Sequence, residues 1–430
     1  MSSRRKFLQQ LSTFTAATSL PFYATNTGKS LVDKIQEHQA KSLEAAVKDE
    51  DFWHLIKQAY TVSPSILNLN NGGVSPSPKV VQEAVEHYNR WSNELPSHYM
   101  WHILDRRGKE PLRAKLADLA GCSKEEIAVN RNTTEALATV IFGLPLKAGD
   151  EIVLSKQDYP NMINAWKQRK HRDGIILKWV NLDPIMEDDS AILQKYTEQF
   201  TDKTKLVHLT HAINWSGQVL PVAKIATAAK EKDLAVLVDG AHTFGQLDFK
   251  IPDLNCDYFG TSLHKWLCAP FGSGMLYVRK EKIKNLYPLF GSPQADSSDI
   301  RKFEHLGTRS IAIEQGIGQA IDFHLMIGIE RKAARLQYLK NYWTDKVLKI
   351  KGVSINTSRL PAYSGAIALL AIEGKNPREV ANYLMKAHQI HSVAITWENI
   401  SGVRITPNVY TLTKDLDRLV AAVEELVNTK

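Results

Sequence analysis

The sequence has little cysteine. Its 430 residues include only Cys122, Cys256 and Cys268, at spacings that form neither a paired framework nor a metal-binding motif. The sequence therefore predicts no disulfide scaffold and no metal site, and Cys268 is interpreted as a small packing residue.

The sequence also lacks long runs of lysine or arginine, although its net charge is +8. Three of the positive charges lie within residues 1–24, which contain no acid, so the remainder of the chain carries +5. No glycine-aromatic RNA-binding pattern is present either. We therefore expect no nucleic-acid partner.

The first 24 residues are typical of a targeting segment. The run SRRKFL, which begins at Ser3, resembles the twin-arginine export signal, and a mildly apolar stretch broken by Pro21 follows it. We expect residues 1–24 to direct the folded protein to the twin-arginine export machinery and thence to the periplasm. Phe22 and Ala24 make a weak cleavage site, so a retained membrane anchor stays open.

The rest of the chain has the composition of a globular protein, with 43% apolar and 23% charged residues, and is longer than one hydrophobic core usually supports. From residue 76 to residue 320, helical patterns alternate with short apolar runs, which predicts a large α/β domain with a mostly parallel sheet and helices on both faces. Residues 321–430 read as a long helical stretch, then strand, helix, strand and helix, and predict a smaller α/β domain. Residues 25–75 form a separate N-terminal segment.

Polar side chains follow three of the apolar runs: Tyr159 after EIVL, Asn214 after KLVHL and Asp239 after LAVLV. In parallel sheets, ligands bind at the carboxyl ends of the strands. These residues therefore predict a binding site at one edge of the large sheet.

Lys265, in FGTSLHKWLCAPFGSG, stands among small and apolar residues. An isolated lysine of this kind usually extends its ammonium to water, but Asp239 lies 26 residues earlier at a predicted strand end. Together they suggest a Schiff-base site, in which a desolvated lysine binds an aldehyde cofactor and the acid pairs with its ring nitrogen. NRNTTEAL adds Thr133 and Thr134 at a predicted helix start, where a phosphate can bind. A helix cap is the alternative role for Asp239.

These residues carry a family resemblance. From about Asn68 to its end, the chain resembles the fold-type I pyridoxal-phosphate enzymes of the class V aminotransferase group, which includes the cysteine desulfurases. HKWLCAP, DGAHTFGQL and LNNGGVSPSP are most similar to the isopenicillin N epimerase-like branch. The resemblance implies the fold-type I architecture, a pyridoxal 5′-phosphate cofactor and a homodimer.

The resemblance also assigns roles to individual residues. Lys265 is the catalytic Schiff-base lysine, and Asp239 is the partner of the ring nitrogen. The other cofactor-binding assignments are Asn214 and His242 near the phenolic oxygen, Tyr159 on the ring, Thr133, Thr134, Ser262 and His264 at the phosphate, and Thr308 at the phosphate of the partner subunit. The substrate-binding assignments are Asn71 and Arg404, of which Arg404 is expected to hold a carboxylate in a bidentate contact.

One departure bears on the reaction. Cysteine desulfurases carry a catalytic cysteine shortly before the arginine that corresponds to Arg404, and HSVAITWENISGVR has none. We therefore predict an enzyme that acts at Cα of an amino acid or an amino-acid-derived substrate, most similar to an epimerase or racemase. The alternatives are a class V aminotransferase, a cysteine or C–S lyase, and a basic binding protein on the same fold, although such a binding protein would be expected to lack Lys265 or Asp239. The second proton donor that epimerisation requires stays open.

The export signal makes a first prediction. Replacing Arg4 and Arg5 by lysine is expected to leave the protein in the cytoplasm, because the twin-arginine route reads the arginine pair. Cell fractionation measures the distribution. Unchanged export of the variant would indicate another route, and a wild-type protein found only in the cytoplasm would end the hypothesis.

Overall fold

The computed structural model describes residues 37–428 with the exception of residue 39. The predicted export signal, in residues 1–24, lies outside the described residues and stays a prediction. Within the described part of the chain, no helix is long and apolar enough to cross a membrane.

Helices and strands alternate along most of the chain, as expected for an α/β protein. The α-helices are α1 (Leu43–Val47), α2 (Glu50–Gln58), α3 (Lys79–Glu94), α4 (Lys109–Ala120), α5 (Thr133–Gly143), α6 (Pro160–Asp173), α7 (Asp189–Thr197), α8 (Val222–Lys230), α9 (Lys280–Ile283), α10 (Ile311–Ile327), α11 (Ile329–Val347), α12 (Pro377–His388) and α13 (Thr413–Asn428). A π-helix covers Ser97–Gly108, and 3₁₀ turns cover Lys124–Glu126, Ile251–Leu254 and Ile300–Glu304.

The strands form three sheets. They are β1 (Leu67–Asn68), β2 (Ile127–Asn130), β3 (Glu151–Ser155), β4 (Ile176–Val180), β5 (Thr204–Thr210), β6 (Ala235–Asp239), β7 (Tyr258–Ser262), β8 (Gly274–Val278), β9 (Val353–Ile355), β10 (Ala368–Ile372), β11 (Ile390–His391), β12 (Val393–Trp397) and β13 (Ile400–Ile405).

The largest sheet has seven strands in the order β2-β8-β7-β6-β5-β3-β4. Strands β3 to β7 pair in parallel, whereas β8 is antiparallel to both of its neighbours. Val236 and Val238 pack in one apolar cluster and Leu237 in another, on the opposite face. Because both faces are covered, the strands read as continuous apolar runs, and the predicted mostly parallel sheet is confirmed.

The second sheet has four antiparallel strands in the order β12-β13-β10-β9. Helices α11, α12 and α13 cover it, since Trp343, Leu384 and Leu416 share an apolar cluster with Leu370 of β10. This sheet and its helices form the smaller α/β unit. The predicted long helical stretch is broken once, at Gly328, which has a φ of +86° and separates α10 from α11.

Two features of the structure bear on the predicted domain boundaries. β1, in the predicted N-terminal segment, pairs in parallel with β11 of the small unit. Residue 320 lies inside α10, whose Ile317 and Ile321 pack in the same cluster as Val238 of the large sheet. The predicted boundary at residue 320 therefore falls within a helix, and the division of the chain into domains stays a prediction.

The carboxyl ends of β5, β6 and β7 meet at one edge of the large sheet. Thr210, at the end of β5, pairs with Asp239 of β6, and Asp239 pairs with Gly260 of β7. Asn214 follows β5 in the chain and Lys265 follows β7, so both lie on segments that leave this edge. The fold thus brings sequence positions more than 50 residues apart to one place.

Candidate active site

Lys265 lies on the turn that leads from β7 towards β8. It is half-buried, and the four residues after it, Trp266 to Ala269, are buried. Its Nζ is 3.2 Å from Nε2 of His242. Burial lowers the pKa of Lys265 to about 8, Arg404 adds to the shift, and Asp239 opposes it. The neutral fraction of this amine near neutral pH is therefore larger than that of an ordinary lysine, and the neutral amine is the nucleophile.

Asp239 ends β6 and is 4% exposed. Its Oδ1 accepts a hydrogen bond of 2.9 Å from Ala241 N, so it does act as a local cap. Among the described residues nothing donates to its Oδ2, which leaves one carboxylate oxygen available to a ligand. Burial raises the pKa of Asp239, and the hydrogen bond from Ala241 and the charge of Lys265 oppose the rise.

His242 follows Asp239 by three residues and is 4% exposed. Its Nε2 faces Lys265, and its Nδ1 lies 3.3 Å from the indole nitrogen of Trp266. Burial, followed by the positive charges of Lys265 and Arg404, holds the pKa of His242 well below its usual value. His242 is therefore a neutral hydrogen-bonding group.

The N-terminus of α5 offers an anion-binding cradle. Asn132 caps the helix by accepting from Glu135 N at 2.9 Å, and Thr133 N donates to Ser262 Oγ at 2.9 Å. The hydroxyls of Thr133 and Ser262 are 2.7 Å apart. Backbone N–H groups and hydroxyls at the positive end of a helix dipole suit a phosphate. A Cβ at Gly274 would lie 2.5 Å from Asn132 N, so only glycine allows β8 to approach this cap.

Three further residues are assigned to a phosphate, one of them to the phosphate of the partner subunit. His264 is half-buried, and its Nδ1 donates to Ser273 O at 2.9 Å. Thr134 is half-buried in the first turn of α5. Thr308 is exposed on the segment before α10 and makes no hydrogen bond to the other assigned residues among the described part of the chain.

Arg404, on β13, is 7% exposed and connects the two sheets. Its Nη1 donates to Asn214 O at 2.8 Å and its Nη2 to Asn70 Oδ1 at 2.9 Å. Within residues 37–428 it forms no ion pair, and its Nε has no partner. Burial lowers the pKa of Arg404 to about 10, and Tyr159 opposes the shift. A buried guanidinium without an anion is costly, which indicates a site for an anionic ligand.

Asn214 and Tyr159 border the same space. Asn214 is 5% exposed, and its side-chain amide makes no hydrogen bond to the described residues. An unpartnered buried amide is typical of a group that binds a ligand. Tyr159 immediately precedes α6, and 39% of it is exposed, so a flat ligand can cover its ring.

The structure does not support the assignment of Asn71 to the substrate. Its Nδ2 donates to Asn68 O and Thr406 O, and its Oδ1 accepts from Asn68 Nδ2 and Tyr410 Oη. This side chain has therefore no hydrogen-bonding capacity left for a ligand. Its neighbour Asn70 contacts Arg404 instead, and only the position within the NN pair distinguishes the two in the sequence.

Sequence reasoning also missed Asp158, the residue before Tyr159. Asp158 is 1% exposed, its Oδ1 accepts from Thr210 Oγ1 at 2.7 Å, and its Oδ2 accepts from Ser155 N at 2.8 Å. Burial raises its pKa to about 7; the two hydrogen bonds oppose the rise and the charge of Asp239 adds to it. A second carboxyl group that titrates near neutrality thus lies beside the site. In the sequence, the signal for Asp158 is an acid near a predicted strand end and next to Tyr159, which is itself assigned to the cofactor ring.

Comparisons with known proteins identify the family to which the sequence is similar. The family model of the class-V aminotransferases matches residues 67–419. The isopenicillin N epimerase of Streptomyces clavuligerus is 26% identical over 391 residues, which cover 87% of this chain and 98% of that protein. A probable cysteine desulfurase of Halalkalibacterium halodurans is 28% identical over 402 residues, which cover 86% of this chain and 97% of that protein.

Solved structures show the same fold. An apo structure of a cysteine desulfurase from Thermococcus onnurineus NA1 has a TM-score of 0.73 at 24% identity and covers 85% of this chain and 95% of that chain. A complex of the cystine C-S lyase C-DES with its reaction product, cysteine persulfide, has a TM-score of 0.75 at 20% identity and covers 84% of this chain and 98% of that chain. At these identities the likeness concerns the fold.

Asp158 makes a prediction about stability. The folded apoprotein holds the Asp158 proton up to about pH 7, whereas an unfolded aspartate releases it near pH 4. The folded state then binds more protons in this window, so the group's contribution to the free energy of unfolding falls as the pH rises through it. Asp158→Asn removes this loss. Urea denaturation is therefore expected to show the free energy of unfolding of the variant rising relative to that of the wild type between pH 4 and pH 7, by up to about 4 kcal/mol.

The exposed Asp183 provides the matched control, because Asp183→Asn removes a carboxylate of the same type from the surface. Parallel stability–pH curves for wild type and Asp158→Asn would contradict the prediction.

Proposed function

The chain belongs to the class V aminotransferase family of pyridoxal-phosphate enzymes, and we propose that it acts at Cα of an amino acid or an amino-acid-derived substrate as an epimerase or racemase. The observation that carries the proposal is Arg404, a buried cation without a counter-ion among the described residues. It lies close enough to Lys265 and His242 to lower the pKa of both. A substrate carboxylate bound there would be held beside the amine of Lys265.

The residues present fit the cofactor. Lys265 Nζ would bind its aldehyde, the free Oδ2 of Asp239 would accept from its ring nitrogen, and the N-terminus of α5 with Ser262 would bind its phosphate. Asn214 has a free amide for the phenolic oxygen, and Tyr159 has an open ring face for stacking. Bound in this way, pyridoxal phosphate supplies an electron sink for the negative charge that develops at Cα.

Arg404 and Asn70 orient the substrate. Two guanidinium nitrogens are already held by Asn214 O and Asn70 Oδ1, so the plane of the guanidinium is fixed before a ligand arrives. A guanidinium suits a carboxylate because its donors match the two oxygens. The substrate class is therefore an amino acid or a compound that retains its α-carboxylate.

Lys265 moves the proton. With a pKa of about 8 its Nζ is a competent base near neutrality, and it can take the proton from Cα on the face it occupies. Return of a proton to Cα is favoured by the similarity to the isopenicillin N epimerases, which extends over 98% of their length. Transamination is the alternative outcome of the same first step.

The cysteines give no support to sulfur transfer. Residues 398–403, which precede Arg404 on β13, contain no cysteine. Cys268 is 1% exposed, with its thiol 3.8 Å from Trp266 O and 3.6 Å from Asn408 Nδ2. Burial raises the pKa of Cys122 and Cys256 to about 12, which makes both poor nucleophiles.

A homodimer is the proposed active unit. Thr308 is exposed beside the start of α10, and Gly272 and Gly108 lie against Ile313 and Gln315 of that helix. Phe271, which precedes Gly272, and Trp101, on the π-helix that ends at Gly108, are large exposed apolar side chains, which a second copy would cover. In such a pair Thr308 would reach the phosphate site of the partner subunit.

Attachment of the cofactor tests the role of Lys265. We expect pyridoxal phosphate to give a yellow protein, and borohydride to fix the cofactor covalently on the peptide that contains Lys265. Lys340 is an internal control, because burial also lowers its pKa to about 8. Its amine donates to Ser358 O and Ser364 Oγ instead of facing His242 as Lys265 does.

Lys265→Ala is expected to abolish the adduct and to keep the far-ultraviolet circular dichroism of the wild type, since a single side chain is lost. Equal labelling of Lys265 and Lys340, or an unchanged yield of adduct in Lys265→Ala, would refute the assignment.

The reaction itself is tested with candidate amino acids in D₂O. We expect deuterium to enter Cα with loss of optical purity, because the proton removed by Lys265 exchanges with solvent and epimerisation delivers a solvent-derived proton to the opposite face of Cα. Keto-acid that depends on an amino acceptor would indicate transamination instead, and sulfide release from cysteine would contradict the interpretation of the thiols.

Arg404→Lys is expected to raise the KM for the same substrate by about ten- to a hundredfold, the loss of a charged hydrogen bond. Cofactor affinity is expected to stay near that of the wild type. Equal losses in both would place Arg404 outside the substrate site.

Thr308 tests the dimer. Thr308→Ala is expected to weaken cofactor retention by about two- to tenfold, the effect of one neutral hydrogen bond of about 0.5–1.5 kcal/mol. Ser310→Ala is the matched control, because Ser310 is an exposed hydroxyl on the same segment that caps no backbone N–H. Sedimentation that shows a fully active monomer at the assay concentration would exclude this arrangement.

A further inference from the structure

Trp266, the residue after Lys265, aims its indole N–H at His242. The indole nitrogen lies 3.3 Å from His242 Nδ1, and Trp266 is fully buried. Nothing in the proposed chemistry requires a tryptophan at this position, and packing alone would not require its N–H to meet a titratable group.

The direction of this hydrogen bond determines the tautomer of His242. An indole nitrogen can only donate, so Nδ1 has to be unprotonated to accept. A neutral imidazole carries one proton, which must then be on Nε2. That proton is directed at Lys265 Nζ, 3.2 Å away, which accepts it once the amine has lost its own proton, above a pKa of about 8.

We propose that Trp266 is a positioning residue that holds His242 as its Nε2–H tautomer, so that His242 presents a hydrogen-bond donor to the reacting end of the site. The inference rests on the proposed function in one respect, namely that the phenolic oxygen of the cofactor takes this donor when the cofactor is bound. An anionic oxygen only accepts, so the other tautomer would turn a lone pair towards it and weaken its binding.

Both partners are rigidly held. Lys332 Nζ donates to Trp266 O, and a Cβ at Gly245, whose φ is +78°, would lie 2.9 Å from Leu267 N. On the other side, a Cβ at Gly72 would lie 3.5 Å from His242 Cε1, so the backbone of Gly72 confines the ring edge. The donor and acceptor are therefore kept in register without a ligand.

The charged groups around His242 act in the same direction. Arg404 faces it as a cation at all relevant pH values and Lys265 does so only while it is protonated, and Asp239 stands three residues before it at the end of β6. The cations disfavour a second proton on the ring. A neutral ring has two tautomers, and the hydrogen bond from Trp266 to Nδ1 stabilises the one that is protonated at Nε2.

The first experiment needs no cofactor. The apoprotein is labelled with ¹⁵N-histidine, and a long-range ¹H–¹⁵N correlation spectrum reports which ring nitrogen of His242 carries the proton, with His242→Gln assigning its signals among the 14 histidines. We expect a protonated Nε2 in the wild type and a mixture of tautomers in Trp266→Phe. At about pH 9, where the amine of Lys265 is mostly neutral, a wild-type ring protonated at Nδ1 or doubly protonated would overturn the proposal without any variant.

Trp343→Phe is the matched control, because Trp343 is also fully buried but its indole nitrogen has no partner among the described residues. It loses a similar packing volume and no hydrogen bond, so the tautomer of His242 is expected to stay that of the wild type. Equal changes in Trp266→Phe and Trp343→Phe would assign Trp266 a packing role only.

The second experiment uses the holoprotein. The pH midpoint of its visible band is expected to rise by up to about one unit in Trp266→Phe, since the anionic phenolic oxygen loses part of a neutral hydrogen bond. His242→Gln retains an N–H donor that has no tautomer, so adding Trp266→Phe to it is expected to leave the midpoint unchanged. An additive shift would overturn the proposal, and a protein that binds no cofactor would refute the proposed function while leaving the apoprotein result to stand.

Discussion

The organisation of this site depends on the cost of burying positive charge. Moving an unpaired cation from water into a protein costs several kcal/mol, yet Lys265 and Arg404 are both held at the sheet edge without an ion pair among the described residues. Lys265 meets the cost by losing its proton readily, with a pKa of about 8. Arg404 keeps its charge at neutral pH, since its pKa is lowered only to about 10. One group is thereby prepared for covalent chemistry and the other for an anion.

The two cations come from different sheets, so the contact between the two units sets their separation. Arg404 of β13 donates to Asn214 O beyond β5, and the Trp397 indole donates to Lys156 O beyond β3 at 2.9 Å. The rings of Trp215 and Trp397 stack across the same contact at 5.4 Å. These contacts hold the proposed carboxylate-binding group at a defined place relative to Lys265. A shift of the small unit would therefore change the site before it changed either core.

Parts of the fold could be predicted from local patterns. The alternating apolar runs and amphipathic helices of the large unit depend on neighbouring residues, and Gly121 and Gly328 end helices through their own backbone conformations. The strands β9, β11 and β12 were not predicted. They are two to five residues long, and their residues become a sheet only through pairing with distant segments, as Leu67 does with Ile390.

The sequence by itself determined the large α/β unit and the residues of the family pattern. Asp239 ends an apolar run and Lys265 follows one, so local sequence alone places both residues near the ends of predicted strands. Only the tertiary structure decided how hydrogen bonds are shared within the site. Asn70 and Asn71 cannot be told apart by residue type. In the structure Tyr410 and Thr406 occupy the hydrogen-bonding groups of Asn71, whereas Oδ1 of Asn70 accepts from Arg404. A hydrogen bond depends on the direction and distance of groups far apart in the chain, and those exist only once the sheets have packed.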